Sequence, residues 1–257
     1  MKIAITGKGG VGKTTLTAAL ALLFEQEKRR VIAIDADPDT NLALALGLPA
    51  QDAARIVPLS EMRELVRERI GAAGGEGGGF VALNPRVDDI ADEYGTKLDG
   101  ISLLVLGAVR RGGAGCACPE NVLLQALLEH LLVETDEVVI ADMEAGIEHL
   151  GRGTARAVDI LLIVAEPSAA SLQTAETIRR LASDIGLARI GLVLNKVRDQ
   201  DQADRLASGV RDIPLVGTLR WQDDVAEAAM DGRAVARTSV VEKVRPIKKR
   251  VEELLSS

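Results

Sequence analysis

Short aliphatic runs alternate along the chain with longer segments of helical period. Runs near 2–6, 30–35, 101–106, 137–142, 159–165, 189–194 and 214–218 predict seven strands. Most are followed by helical spacing, clearest from Lys13 to about Glu27 and from about Ser168 to Ser183. Strands alternating with helices imply strand, helix, strand units, and strands apolar along their length imply a parallel sheet covered on both faces. The expected fold class is therefore α/β, with a mostly parallel sheet of seven to eight strands and helices on both faces. No Pro- or Ser-rich linker divides the chain and no internal repeat is visible, so residues 1–257 read as a single domain. One stretch breaks the pattern. Six of nine residues from Gly71 to Gly79 are glycine, and ordering them costs enough backbone entropy to predict a mobile surface loop, read as a tolerated insertion.

Composition narrows the function classes. Aromatics are 2% of 257 residues, so the core must be aliphatic, and 31 Lys+Arg against 38 Asp+Glu leave a net charge of −7. That balance supplies no field for a phosphate backbone, and no nucleic-acid partner is expected. Met1-Lys2-Ile3-Ala4 runs straight into a strand without the zones of a signal peptide, and no apolar run reaches the roughly 18 residues of a membrane span. A cytoplasmic location is expected. Thiols stay reduced there, so the two cysteines, Cys116 and Cys118, read as ligands rather than a disulfide.

The strongest chemical signal is Gly7-Lys8-Gly9-Gly10-Val11-Gly12-Lys13-Thr14-Thr15, between a strand and a helix. This is the context that the G-x-x-x-x-G-K-[ST] phosphate loop requires. Its glycines let backbone N–H groups turn inward around phosphate oxygens, and the helix N-terminus adds partial positive charge. Lys13 is expected to reach the β- and γ-phosphates, and the Thr14 hydroxyl to ligate Mg²⁺. With Lys8, the loop resembles the deviant Walker A P-loop NTPases, the group of septum-site and partition ATPases and the nitrogenase iron protein. That resemblance implies ATP hydrolysis to ADP and a homodimer in which Lys8 touches the opposite subunit's nucleotide, as an arginine finger does.

Carboxylates close the site. Asp35-Ala36-Asp37-Pro38-Asp39 follows the second strand, at the strand ends where ligands of open α/β sheets collect. By resemblance Asp37 is the switch I residue that acts on the attacking water; Asp35 is expected to support the magnesium shell, and Asp39 to cap the helix entering at Asn41. Glu137 to Asp142 has the form of a buried strand ending in a Mg²⁺-holding Asp142, and Met143-Glu144-Ala145-Gly146 that of switch II. Glu144, Glu148 and His149 read as solvated neighbours. Asn195 and Lys196 end a later strand, where an amide offers both donor and acceptor to adenine; Arg198, in place of a guanine-reading Asp, favours ATP over GTP.

Cys116 and Cys118 lie between the third strand and a helix expected near Pro119. Two thiolates are half of a closed tetrahedral site, and a two-fold dimer would supply the other half. The C-x-C pair before Pro119-Glu120-Asn121, with the Asp142-Met143-Glu144-Ala145-Gly146 switch, resembles the CooC family, accessory ATPases of nickel-dependent carbon monoxide dehydrogenase. The resemblance runs from Met1 to the helix after Trp221. It implies ATP-dependent dimers, Ni²⁺ or Zn²⁺ on Cys116 and Cys118 shared across the dimer, and the dehydrogenase as client. Two other classes compete: a MinD/ParA-like positioning ATPase acting at membrane or DNA, and an electron-transfer ATPase with a bridging iron–sulfur cluster. Val244, Ile247, Val251, Leu254 and Leu255 recur at helical spacing beside Lys248, Lys249 and Arg250, but Glu242, Glu252 and Glu253 dilute the charge. A helix packed on the domain is expected there, with no stable membrane association.

Overall fold

In the computed structural model, which describes residues 1–37, 40–71, 85–107, 119–145, 152–210 and 212–256, the aliphatic runs become strands of one eight-stranded sheet. They are β1 (Lys2–Thr6), β2 (Val31–Ala36), β3 (Thr96–Leu98), β4 (Ile101–Val105), β5 (Val138–Met143), β6 (Ile160–Ala165), β7 (Ile190–Val197) and β8 (Leu215–Arg220). Their order is β3-β4-β2-β5-β1-β6-β7-β8, parallel throughout except for β3 against β4. Seven of the eight are the predicted runs. The eighth, β3, joins β4 through Asp99 and Gly100, both at positive φ, as a tight two-residue hairpin demands.

Among the described residues, eight helices have five residues or more: α1 (Lys13–Gln26), α2 (Leu42–Leu46), α3 (Arg63–Ile70), α4 (Pro119–Val133), α5 (Ala169–Asp184), α6 (Gln200–Gly209), α7 (Asp223–Met230) and α8 (Val240–Ser256). Strand side chains alternate between two aliphatic cores. Ile3 and Ile5 of β1 face α1, α2 and α8, while Ala4 faces the layer that includes α4 and α5. Helix α4 starts at the expected Pro119, and α5 is capped by the Ser168 hydroxyl, which accepts from the Ser171 N–H. Of the glycine stretch Gly71–Gly79, all but Gly71 lies outside the described residues, as do Asp39, Cys116, Cys118, Glu148 and His149.

The C-terminal α8 packs as expected. Val244, Ile247 and Val251 are buried with α1 and the sheet, and a Cβ added to Gly217 of β8 would stand 2.5 Å from Ile247 Cγ1. Lys248 is buried too. Its ammonium donates to Glu27 and Glu252 at 2.8 Å each and stands 4.5 Å from the Phe24 ring centroid, tying α8 to the far end of α1. No helix among the described residues is long and apolar enough to cross a membrane. Ile247→Ala should cost about 2–5 kcal/mol, because the close approach at Gly217 leaves no side chain there to fill the gap. A urea midpoint within error of wild type would show that α8 is not part of the cooperative core.

Candidate active site

The site stands at the C-terminal ends of the central strands. After Thr6 the chain turns through Gly7 at φ 149° and Gly12 at φ 97°. Steric contact adds to the conformational demand at both. A Cβ on Gly7 would lie 2.2 Å from the Val164 carbonyl oxygen, and one on Gly12 2.3 Å from the Asn195 amide nitrogen. The loop is thus pressed against the ends of β6 and β7. Helix α1 opens at Lys13 with no side chain capping its N-terminus, leaving first-turn N–H groups and the positive dipole end for an anion. Lys8, Thr14 and Thr15 are half-buried, Gly9 and Gly10 exposed and Val11 buried.

Lys13 is the buried cation of the site. Its Nζ lies 3.7 Å from Asp37 Oδ2, just past the end of β2. Asp35 and Asp142 sit beside one another in register on β2 and β5, each 1% exposed. Burial pushes the Asp35 carboxyl up to about 6, although the Leu42 and Asp37 N–H groups donate to it at 3.0 and 3.3 Å and pull the other way. Asp35 thus holds the start of α2 and the backbone at Asp37.

Asp142 is not satisfied in this way. Both of its carboxylate oxygens are buried without a hydrogen-bond partner. Burial raises its carboxyl to about 7, with the charges of Asp35 and Asp37 adding to the effect. The neighbouring Thr14 hydroxyl and Lys13 ammonium draw it down, without regular hydrogen-bond geometry to either oxygen. A buried acceptor pair beside a hydroxyl and a phosphate loop fits a hard divalent cation, which prefers oxygen ligands and would relieve the cost of the ionised carboxylate. Thr14 and Asp142 would be placed to hold such a cation. Switch II begins behind them, where the Thr6 hydroxyl donates to the Glu144 carbonyl oxygen at 2.5 Å.

The far wall comes from an irregularity in β7. Leu194 pairs with Thr218 and Val197 with Arg220, so Asn195 and Lys196 on β7 oppose one residue, Leu219, on β8. A bulge of this kind re-aims side chains. Lys196 adopts φ 59°, and its ammonium donates to the Gly10 carbonyl at 2.6 Å and to Glu166 at 3.3 Å. The Asn195 amide donates to the Val11 carbonyl at 2.8 Å, while its oxygen accepts from the Lys196 N–H at 2.8 Å. Two side chains thus grip consecutive carbonyls of the phosphate loop. Glu166, which holds Lys196 from the end of β6, was not foreseen; its position directly after an apolar strand was the available signal.

A family model described as the CobQ/CobB/MinD/ParA nucleotide binding domain matches residues 2–235. The carbon monoxide dehydrogenase accessory protein CooC of Rhodospirillum rubrum is 46% identical over 232 residues, covering 90% of this chain and 88% of that protein. The chain belongs to the CooC family of P-loop ATPases. An uncharacterized ATP-binding protein of Methanocaldococcus jannaschii is 44% identical, with 91% of each chain covered. In fold, this CooC-family chain is similar to MinD in the MinC:MinD complex of Aquifex aeolicus, with a TM-score of 0.67 at 18% identity, covering 100% of this chain and 96% of that one.

The buried carboxylates make stability depend on pH in a defined sense. Asp35 and Asp142 keep their protons to higher pH when folded than unfolded, where Asp titrates near 3.8. Their contribution to the ligand-free protein is therefore greatest at low pH and is lost as pH rises from about 4 through about 7. Asp142→Asn removes part of that loss. Relative to wild type, the metal-free variant should gain on the order of 1–3 kcal/mol between about pH 5 and pH 8, while losing Mg²⁺-dependent hydrolysis. Urea unfolding in chelator at both pH values measures it; a pH-independent difference would mean that Asp142 does not carry the shift.

Proposed function

We propose that the protein is an ATP-driven metallochaperone that assists nickel insertion into carbon monoxide dehydrogenase. The observation that carries the reading is whole-domain identity of 46% to a carbon monoxide dehydrogenase accessory protein, in a chain that also bears a C-x-C pair between β4 and α4. Two chains bind ATP face to face, with Lys8 of each reaching the other's nucleotide. Lys13 leaves Asp37 for the β- and γ-phosphates, so Asp37 is released to accept a hydrogen bond from the attacking water. Thr14 and Asp142 would hold Mg²⁺, which would supply charge neutralisation at those phosphates. Water adds to the γ-phosphorus as its bond to the bridging oxygen breaks, giving ADP and phosphate.

Cys116 and Cys118 of each chain together supply four thiolates, a closed site for Ni²⁺ or Zn²⁺ as cargo. ATP and metal favour the same dimer and so reinforce one another, and hydrolysis weakens it and releases metal to the client. Burial of the apolar face of α8 against α1 and the sheet counts against a membrane-positioning ATPase.

Anaerobic titration with light scattering tests this. Half an equivalent of Ni²⁺ per chain, coupled to a dimer, is expected, and Cys116→Ala with Cys118→Ala should abolish it while ATP binding survives. Nickel still bound at that stoichiometry by the double variant would overturn the site. Lys13→Ala should remove hydrolysis, whereas Lys8→Ala should bind ATP as a monomer; a normal ATP dimer from the latter would refute action in trans.

A further inference from the structure

An ordinary surface helix turns one apolar stripe toward the core and is polar elsewhere. Helix α4 has more apolar surface than that. Six leucines between Leu123 and Leu132 are buried, and a further apolar series, Val122, Ala126 and Val133, lines an open cleft of about 660 Å³. Val133 is 56% exposed. The cleft follows α4 from Val122 to Glu134, roughly 18 Å at 1.5 Å per residue, and its other wall is residues 85–88, with Val87 buried.

The charge along the cleft is mostly of one sign. Asp88, Glu129 and Glu134 line it against one cation, Arg86. Arg86 is already committed, at 2.7 Å to Asp88 and 3.5 Å to Asp89. Glu129 is exposed and has no ion pair among the described residues. Apolar anchors beside carboxylates left without a cation are complementary to a helix that carries aliphatic side chains on one face and Lys or Arg beside them. This chain has a basic amphipathic helix in α8, but the apolar face of α8 is buried against α1 and the sheet, so that helix of a second copy is not free to enter.

We infer that the cleft is the docking site for a basic amphipathic helix of the protein that receives the metal, which rests on the metallochaperone reading. Helix α4 begins at Pro119, directly after Cys118 in sequence, so a client seated along α4 lies on the helix that follows the cysteine pair. Val122, Ala126 and Val133 supply the anchors, and the carboxylates supply orientation and a faster encounter.

A fluorescein-labelled model peptide, with leucine on one helical face and lysine on the other, is titrated with the full-length protein and followed by anisotropy. The same peptide with glutamate for lysine is the control. Saturable binding is expected of the lysine peptide alone, weakening as salt is raised from about 0.05 to about 0.5 M. Glu129→Lys with Glu134→Lys should weaken it roughly ten-fold and Val133→Ser about three-fold, with ATP hydrolysis and the urea midpoint unchanged. Equal binding of both peptides, or wild-type affinity in both variants, would overturn the inference. So would nucleotide-free self-association that these substitutions abolish, which assigns the cleft to a second copy, or peptide binding seen only once residues 72–84 are deleted, which assigns it to the chain itself. Nickel-free carbon monoxide dehydrogenase is the second probe, expected to bind wild type and to lose roughly ten-fold in the charge-reversed variant. Equal affinity for both removes the docking site and leaves the metallochaperone reading. No binding to wild type, while the peptide still binds in the cleft, removes that reading and its client with it.

Discussion

The structure is organised around two carboxylates buried side by side. Asp35 and Asp142 are register partners on adjacent central strands, and a parallel sheet covered on both faces offers them no water. Their environments separate them. Asp35 receives N–H donors from its own downstream chain, so its charge is spent on local architecture. Asp142 receives none and remains costly to ionise until a cation arrives. The same low dielectric that raises its pKa would strengthen its attraction for a metal, so the ligand-free fold carries a cost that Mg²⁺ would relieve. Lys13 stands as the nearby counter-charge, 3.7 Å from Asp37.

That arrangement needs a phosphate loop that cannot wander, and the loop has little stiffness of its own. Its glycines are selected for close approach, so rigidity must come from neighbours. The β7 bulge supplies it. One extra residue in the strand turns Asn195 and Lys196 toward successive loop carbonyls, and Glu166 steadies the lysine from β6. At its other end α1 is held by the buried Lys248 on α8. The helix whose N-terminus faces the phosphates is therefore fixed at both ends by residues far away in sequence.

Local signals were legible and long-range ones were not. Seven strands could be read because each is a continuous aliphatic run, and the loop at Lys13 because its glycines and lysine are contiguous. Strand β3 was missed: Thr96-Lys97-Leu98 is too short and mixed to show a period, and Asp99-Gly100 was the sole cue. The β7 run was expected to stop at Leu194, because Asn195 and Lys196 are polar; their place in the strand depends on register with β8, which no local pattern encodes. The bonds from Asp37 and Leu42 to Asp35 were not legible for a related reason: an acidic residue at a strand end has the same sequence signature whatever donors surround it.

The two grips on the phosphate loop also bear on how nucleotide state is transmitted. Asn195 and Lys196 hold carbonyl oxygens of Val11 and Gly10, so their grip requires no phosphate. Asp37 carries a link of another kind, a 3.7 Å ion pair with Lys13 for whose ammonium a phosphate would compete. Loss of that ion pair would leave Asp35, two residues earlier, still bound to the start of α2. The strand end is thus held independently of Lys13.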